Sequence, residues 1–471
     1  MYLYTLPLYL GILLVIEYLF VFKKNIANPS IIFNAGFFLC ALFLTYFDET
    51  WKVTMHQETF FLVLGGNIAF FLGSYIGYRR YYTNPLIGRS RYKWKSQNEN
   101  FFVPIITNRL KILFILQVLN AGIKVYLLMS FYGLGSIAAN LFAHTEAMKT
   151  GEGELMKFPM GLGFISNTID IAATLTPILL GLYIVKKRVY KSQYRWLFIN
   201  FLAGAIFSLL SSGRTFMLYF IISFFVSYIM TLVSISKNVS IKNYVMYFLV
   251  GYIFLYSFQE VGRLIGRQDS ESTPIEQTIG TYCGAELQNL DNLIERPSMM
   301  PSPKHWAEQT FNIVYSGLEE MGYINSVSSL RDYHPFQVAN GYGIGNVASC
   351  MQSYYFDFGL FGAYFVCFVL GFLMQVMYIK AQYNNKFFSS GVLTISIILY
   401  GLFCPAIFMS FFSEQIVQRI ITFISIKYWF KIFLIFIFFY GGTPKRINNL
   451  IRKYAKNKIN SNVSTSISLH S

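Results

Sequence analysis

The stretch 260-EVGRLIGRQDSESTPIEQ-277 opens a polar segment, residues 260–350, in a chain that is otherwise a series of long apolar runs. This segment holds half of the acidic residues, two of the five histidines (His305 and His334) and two arginines four apart, Arg263 and Arg267. A polar insertion of that size between apolar runs predicts one large loop lying over a helical bundle. Any chemistry is expected where the loop meets the helix ends.

The flanking sequence sets the class. Hydrophobic residues make up 55% of the chain and charged residues 13%, against the ~25% charge of a soluble domain. Apolar runs near the ~18 residues that cross a bilayer core recur at 3–22, 30–47, 59–78, 112–131, 160–185, 196–210, 215–235, 244–258, 358–378, 393–412 and 420–440. The pattern predicts an all-α polytopic transmembrane helical bundle of eleven spanning helices, with twelve as the alternative count. Residues 1–259 would carry helices one to eight, 260–350 the large extracytoplasmic loop, 351–441 helices nine to eleven, and 442–471 a basic tail. The Ser/Asn-rich end of that tail is expected to be disordered. The first run lacks a basic leader and a small-residue cleavage site, so it is expected to stay as a helix.

Charge placement orients the bundle and argues against nucleic acid, despite a formal charge of +16. One alternating set of turns plus the tail holds 25 Lys and Arg and a single acid, Glu99, whereas the other set holds 10 Lys and Arg and most of the acids. By the positive-inside rule the basic set is cytoplasmic. The large loop and the turn at Arg214 are then outside and the C-terminus is inside. Cys40, Cys283, Cys350, Cys367 and Cys404 show no metal-ligand spacing. Cys283 and Cys350 flank the loop region, where pairing is open to them. No metal or cofactor is expected.

Charges inside the apolar runs are costly and point either to function or to pairing. They are Glu17, Lys124, Asp170, Lys427 and Lys431. Lys427 and Lys431, four apart, share a helix face, which is expected to look into a polar cavity or at an acidic partner such as Asp170. On the outer side, Arg214 follows Gly213 between two spanning runs, and Arg263 and Arg267 follow the eighth. Arginine forks match phosphate oxygens, so Arg214, Arg263, Arg267 and Arg419 are candidate binders of a lipid diphosphate. Ordinary headgroup binding, or pairing with Glu260, Asp269 and Glu414, is the structural alternative, and for Arg331, beside Asp332, it is favoured.

The loop itself reads as two amphipathic helices, at 274–295 and 306–321, separated by Pro297, Pro301 and Pro303. They are expected to lie on the membrane or roof a cavity. His305 and His334 suit proton transfer near neutrality, although a loop histidine is more often simply solvated. Standard hydrolase and metal-transferase motifs are missing from the loop.

Three stretches resemble the O-antigen polymerase, or oligosaccharide repeat-unit polymerase, family. Ser211-Ser212-Gly213-Arg214-Thr215 is similar to its Ser-Gly-x-Arg turn. NGYGIGNVASCMQSYYFDFGLFG at 340–362 resembles the segment entering a late helix, with Tyr-x-Asp-Phe-Gly-x-x-Gly at 355–362. Asn28-Pro29-Ser30 after the first helix also fits. The resemblance implies a bacterial inner-membrane glycosyltransferase, metal-independent, working on undecaprenyl-diphosphate-linked glycans at the periplasmic face. Its partners would be the lipid-linked donor and acceptor, membrane lipid and, as an additional candidate, a chain-length regulator protein. Arg214 with Arg263 and Arg267 would hold the donor diphosphate. The base that deprotonates the acceptor stays open among His305, His334, Glu286, Asp357 and Glu414, and Asp357 has a helix-capping reading as well. A ligase moving polymer onto lipid A core, and a flippase or transporter of lipid-linked sugars, are the alternatives.

Overall fold

The structure is a computed structural model that describes residues 2–82, 103–133, 135–137, 139–141, 143–144, 160–185, 187–211, 214–234, 275–328, 333–382, 392–442 and 449. Most of these residues are helical. The first helix, α1 (Tyr2–Val15), runs on as a π-helical stretch, Ile16–Val21. Asn28 starts α2 (Pro29–Tyr46): its Oδ1 accepts the Ser30 N–H at 3.0 Å, and Pro29 takes the first helical position, where no N–H is needed. Next come α3 (Gln57–Tyr82), α4 (Thr107–Tyr132), α5 (Met160–Val185), α6 (Lys191–Phe207) and α7 (Arg214–Ser234).

The polar segment supplies α8 (Ile275–Cys283), α9 (Ala285–Glu295), α10 (Asn312–Glu320) and a two-stranded antiparallel hairpin, β1 (Gln337–Ala339) with β2 (Tyr342–Gly345). The chain then returns to the bundle through α11 (Cys350–Gln382), α12 (Ile395–Phe408), α13 (Ile416–Ile424) and α14 (Ile426–Tyr440). Six helices are long and apolar enough to cross a membrane, seven if the bent pair α13–α14 is one span. Two shorter apolar helices, Met217–Val233 and Ile395–Phe411, stand beside them. The apolar run at 244–258 lies outside the described residues. Exposed apolar belts on α1 and its π-helical extension (Leu8, Ile12, Leu19, Phe20) and on α4 (Ile115, Leu119, Tyr126) suit hydrocarbon rather than water. This is the build of an all-α membrane protein.

The tightest seam joins α3 to α11. Gly65, Ala69, Gly73 and Gly77 recur every fourth residue along one face of α3. A Cβ on Gly73 would stand 1.9 Å from the Phe368 carbonyl oxygen, and one on Gly371 would stand 2.1 Å from that of Phe70. Backbone contact of this kind substitutes for the hydrophobic drive that lipid does not supply.

Hydrogen bonds define two ends of the bundle. At one end Tyr400 Oη donates to the Ala27 carbonyl, Ile105 N–H donates to Tyr183 Oη at 2.8 Å, and Arg109 donates to the Ile437 and Phe438 carbonyls at 2.8 and 2.6 Å. The last of these caps the C-terminus of α14, where a cation also meets the helix dipole. Lys23, Lys24, Arg79, Arg80, Arg188 and Lys191 follow or precede helices at this end. At the opposite end Tyr219 Oη donates to Gln415 at 2.6 Å, Tyr354 Oη to Glu414 at 2.9 Å and Tyr355 Oη to Glu58, and the polar segment sits there.

That segment differs from its sequence reading in three respects. The expected first amphipathic helix is broken at Gly284, whose backbone leaves the helical region (φ −139°) and approaches α2 so closely that a Cβ there would stand 2.9 Å from the Leu44 nitrogen. Helix α9 is sunk into the bundle rather than laid on a surface: Ala285–Asp291 and Leu293 are all buried. Its polar side chains are met inside, Asn289 by the Val347 carbonyl at 2.9 Å and Asp291 by His56 at 2.8 Å. The second helix begins at Asn312, and the stretch before it is folded around a buried carboxylate, Glu308. Cys283 and Cys350 are free thiols.

Candidate functional site: a cationic cavity beside a broken helix

Two apolar helices carry matched polar stripes. On α4 these are Gln117, Asn120 and Lys124, and on α5 Asn167, Asp170 and Thr174, in both cases at i, i+3 and i+7. That spacing puts each set on one helix face, and the two faces look into a common cavity of about 540 Å³. Ser208 at the end of α6, Phe220 of α7 and Leu402 of α12 close other sides. The remaining wall is the junction of α13 and α14, which supplies Arg419, Thr422, Ser425, Lys427, Tyr428 and Lys431.

This junction is a break between two apolar helices that together have the length and composition of a span. Ser425 adopts an extended conformation (φ −65°, ψ 123°), and the two helices meet at a bend of 78°. Trp429 Nε1 donates to the Phe423 carbonyl at 2.8 Å, satisfying one acceptor that the break frees. Irregular backbone at membrane depth is tolerated where it lines a polar cavity. The start of α14 also brings the positive end of its dipole to the cavity wall. The expectation for Lys427 and Lys431 is met in part. Both line the cavity, but Asp170 is paired to Lys124 instead, at 2.8 and 3.1 Å, with Asn120 donating to it at 3.0 Å. Lys431 donates to Asn167 Oδ1 at 2.9 Å. Arg419 lies over the Tyr219 ring, 4.9 Å from its centroid, and among the described residues no carboxylate is within ion-pair distance of it. Below, Gln117 donates to Asn200 at 2.7 Å, and Asn200 donates to the Leu110 and Trp196 carbonyls. Among the described residues, four cationic side chains therefore face one carboxylate in an apolar bundle. The charge balance of such a site suits an anion rather than a cation.

Of the arginines singled out by sequence, Arg419 lines this cavity. Arg214 opens α7. Arg263, Arg267 and Arg331 lie outside the described residues. The proposed bases do not gather at the cavity. His305 contacts the Ser326 carbonyl through Nε2 at 3.0 Å and stacks on Tyr315. Burial lowers the His334 imidazole to about 4, so it stays neutral beside Gln352. Asp357 accepts the backbone N–H groups of Thr310 (2.6 Å) and Gln309 (3.4 Å), so it pins the loop to α11 just before the kink at Gly359 (φ +70°). Glu414 is buried, which pushes its carboxyl up to about 7, and it accepts from Val417 N–H, Gln418 N–H and Tyr354 Oη around the first turn of α13. Burial also holds Glu286 well above the usual carboxylate range, beside the Cys40 thiol.

Glu17, costly by sequence, is wholly buried. It accepts Ser30 Oγ at 2.7 Å and the Asn34 side-chain amide. The family-like Asn28-Pro29-Ser30 thus has a structural role, starting α2 and satisfying Glu17. Sequence reasoning missed the paired stripes on α4 and α5, whose i, i+3, i+7 spacing was a readable signal. Among the described residues no cluster of three His, Cys, Asp or Glu is placed to hold a metal ion. Compared with family models, curated proteins and solved structures, the chain gives no match.

Proposed function

We propose that this chain is a bacterial inner-membrane glycosyltransferase that polymerises undecaprenyl-diphosphate-linked oligosaccharide repeat units into O-antigen or a related surface polysaccharide. The observation that carries the reading is the cavity itself: Arg419, Lys427 and Lys431 face it beside the Lys124–Asp170 pair, at a break in a span. A diphosphate with two or more negative charges needs such a cluster in low dielectric, and the same cations stabilise it as it leaves. The finer topology belongs to this proposal. It has eleven spans, counting 244–258 as the eighth, with the polar segment periplasmic and the C-terminus cytoplasmic. The separation of basic turns at one end from the polar segment at the other supports that orientation.

The test uses purified protein in proteoliposomes with a synthetic polyprenyl-diphosphate-linked repeat unit. Wild type should build a ladder of multimers. Arg419→Ala should slow it at least tenfold, because one lost charge-assisted contact to the leaving diphosphate costs ~1.5–3 kcal/mol. Protein that makes no ladder overturns the reading. One observation favours a second reading, a transporter of lipid-linked oligosaccharide: broken helices lining a cavity are also a transporter device. Movement of the labelled lipid across the bilayer without elongation would select it. Transfer of finished polymer to a lipid A core acceptor would select the ligase.

A further inference from the structure

The proposed reaction needs a group to accept the proton of the attacking hydroxyl, and the five acids and histidines suggested by sequence lie away from the cavity. Asp357 is taken up by two backbone N–H groups, Glu414 by two more and a tyrosine hydroxyl, and Glu286 is enclosed beside Cys40. The two histidines belong to the folded loop, His305 against Ser326 and Tyr315 and His334 beside Gln352. None of the five lines the cavity. Among the described residues one carboxylate does, that of Asp170, and its side chain is 48% exposed.

We infer that Asp170 is the catalytic base of the proposed glycosyl transfer, with Lys124 and Asn120 as its positioning residues; this rests on the polymerase reading above. Lys124, only 11% exposed, grips both carboxylate oxygens at 2.8 and 3.1 Å, and Asn120 holds Oδ1 at 3.0 Å. Oδ2 meets only the ammonium among the described residues, which leaves it lone-pair capacity for a hydroxyl proton. The geometry beside it is suited to the other reactant. Asn167, three residues earlier on the same face of α5, fixes the Lys431 ammonium at 2.9 Å. Neighbours at that spacing stand ~5–6 Å apart at Cβ. A diphosphate on Lys431 therefore sits beside a hydroxyl bound at Asp170, in the cavity that Lys427 and Arg419 also line.

In the step so arranged, the acceptor hydroxyl oxygen forms a bond to the anomeric carbon. The bond from that carbon to the diphosphate oxygen breaks, and its electron pair leaves with the diphosphate. The hydroxyl proton passes to Asp170, which later releases it to water. Neither oxidant nor metal enters the balance.

The experiment measures ladder formation and binding of the polyprenyl-diphosphate-linked repeat unit for wild type, Asp170→Asn, Asp170→Glu and the double variant Lys124→Met/Asp170→Asn, all in proteoliposomes. Loss of a general base costs ~10²–10⁴-fold in turnover. The inference expects Asp170→Asn to fall by at least 100-fold with KM for the repeat unit within threefold of wild type. It expects Asp170→Glu to recover part of the rate, since a carboxylate is back in the cavity. The double variant removes the charge left unpaired by Asp170→Asn, so it separates folding from chemistry, and it should bind the repeat unit and stay inactive. Asp170→Asn above a tenth of wild-type turnover, or recovery of activity in the double variant, overturns the role and leaves the polymerase reading standing. Wild-type protein that makes no ladder overturns both.

Discussion

Replacing Glu308 by glutamine tests how the polar segment holds its own fold. Glu308 is fully buried. One carboxylate oxygen accepts the N–H groups of Lys304 and His305 at 2.7 and 2.8 Å, and the other accepts that of Ser328 at 2.7 Å. It thus ties together two stretches some twenty residues apart in sequence. Glutamine has nearly the same shape, but one oxygen becomes an NH₂. In either orientation of that amide, at least one backbone N–H faces another donor. An unmet buried donor costs ~1–3 kcal/mol, and the surviving bonds lose their charge assistance, which roughly halves them. The sum is ~3 kcal/mol, or roughly a 100-fold rise in local opening at ~1.4 kcal/mol per decade. Hydrogen exchange of peptides spanning 304–328, read by mass spectrometry in detergent, should show that loss of protection, while α3 and α11 exchange as in wild type. Protection within threefold of wild type throughout would refute the argument.

The pH dependence follows with a definite sign. Burial alone would raise the Glu308 carboxyl, but the Ser328, His305 and Lys304 N–H groups outweigh it and hold it below the usual range. A depressed carboxyl contributes stability above its unfolded value, which is lost as pH falls through the folded one. Protection of 304–328 should therefore persist at neutrality and fall below the ordinary glutamate value of ~4.3, and Glu308→Gln should be insensitive to pH in that window.

Three further outcomes are expected. Gly73→Leu should destabilise the bundle by ~3 kcal/mol or more through overpacking, read as a lower midpoint in thermal unfolding in detergent, because even a Cβ there stands 1.9 Å from the Phe368 oxygen; an unchanged midpoint would show that the α3–α11 seam is looser than drawn. Glu17→Gln should express and unfold like wild type, since no cation faces this buried carboxyl among the described residues and an amide can keep its partners, whereas Glu17→Ala leaves Ser30 and Asn34 without their acceptor and should lower the midpoint. The hydrogen bond to Asp291 raises the His56 pKa, so this tie between α9 and the turn before α3 is present below the ordinary histidine value of ~6.5 and is lost as pH rises through the raised folded value; the imidazole is half exposed, so the effect is ~1 kcal/mol at most and should appear as faster exchange of the 285–295 peptide above neutrality, absent in Asp291→Asn.

Much of this protein was legible in its sequence because apolar length and charge placement are local properties. The helical runs, the basic turns at one end and the polar segment at the other need no contacts to be read. Periodicity likewise put Lys427 and Lys431 on one face, and the face does line a cavity. The chain alone did not say which acids that cavity would contain. Asp357 and Glu414 sit in the most suggestive stretches, yet Asp357 is consumed by backbone N–H groups of a segment 47 residues away, and Glu414 by the first turn of α13, which it precedes, together with the distant Tyr354 hydroxyl. Glu308 drew no attention because its three donors come together only in the folded loop. Asp170 was visible as a charge in an apolar run, but its partner, Lys124, lies 46 residues away on another helix. The depth to which α9 sinks could not be read either, since the glycine that admits it, Gly284, acts through contact with α2. Spanning segments follow from the transfer energy of each residue into lipid, which the sequence carries by itself. The use of each buried polar group follows from which partner arrives within hydrogen-bond distance, and only the tertiary structure decides that.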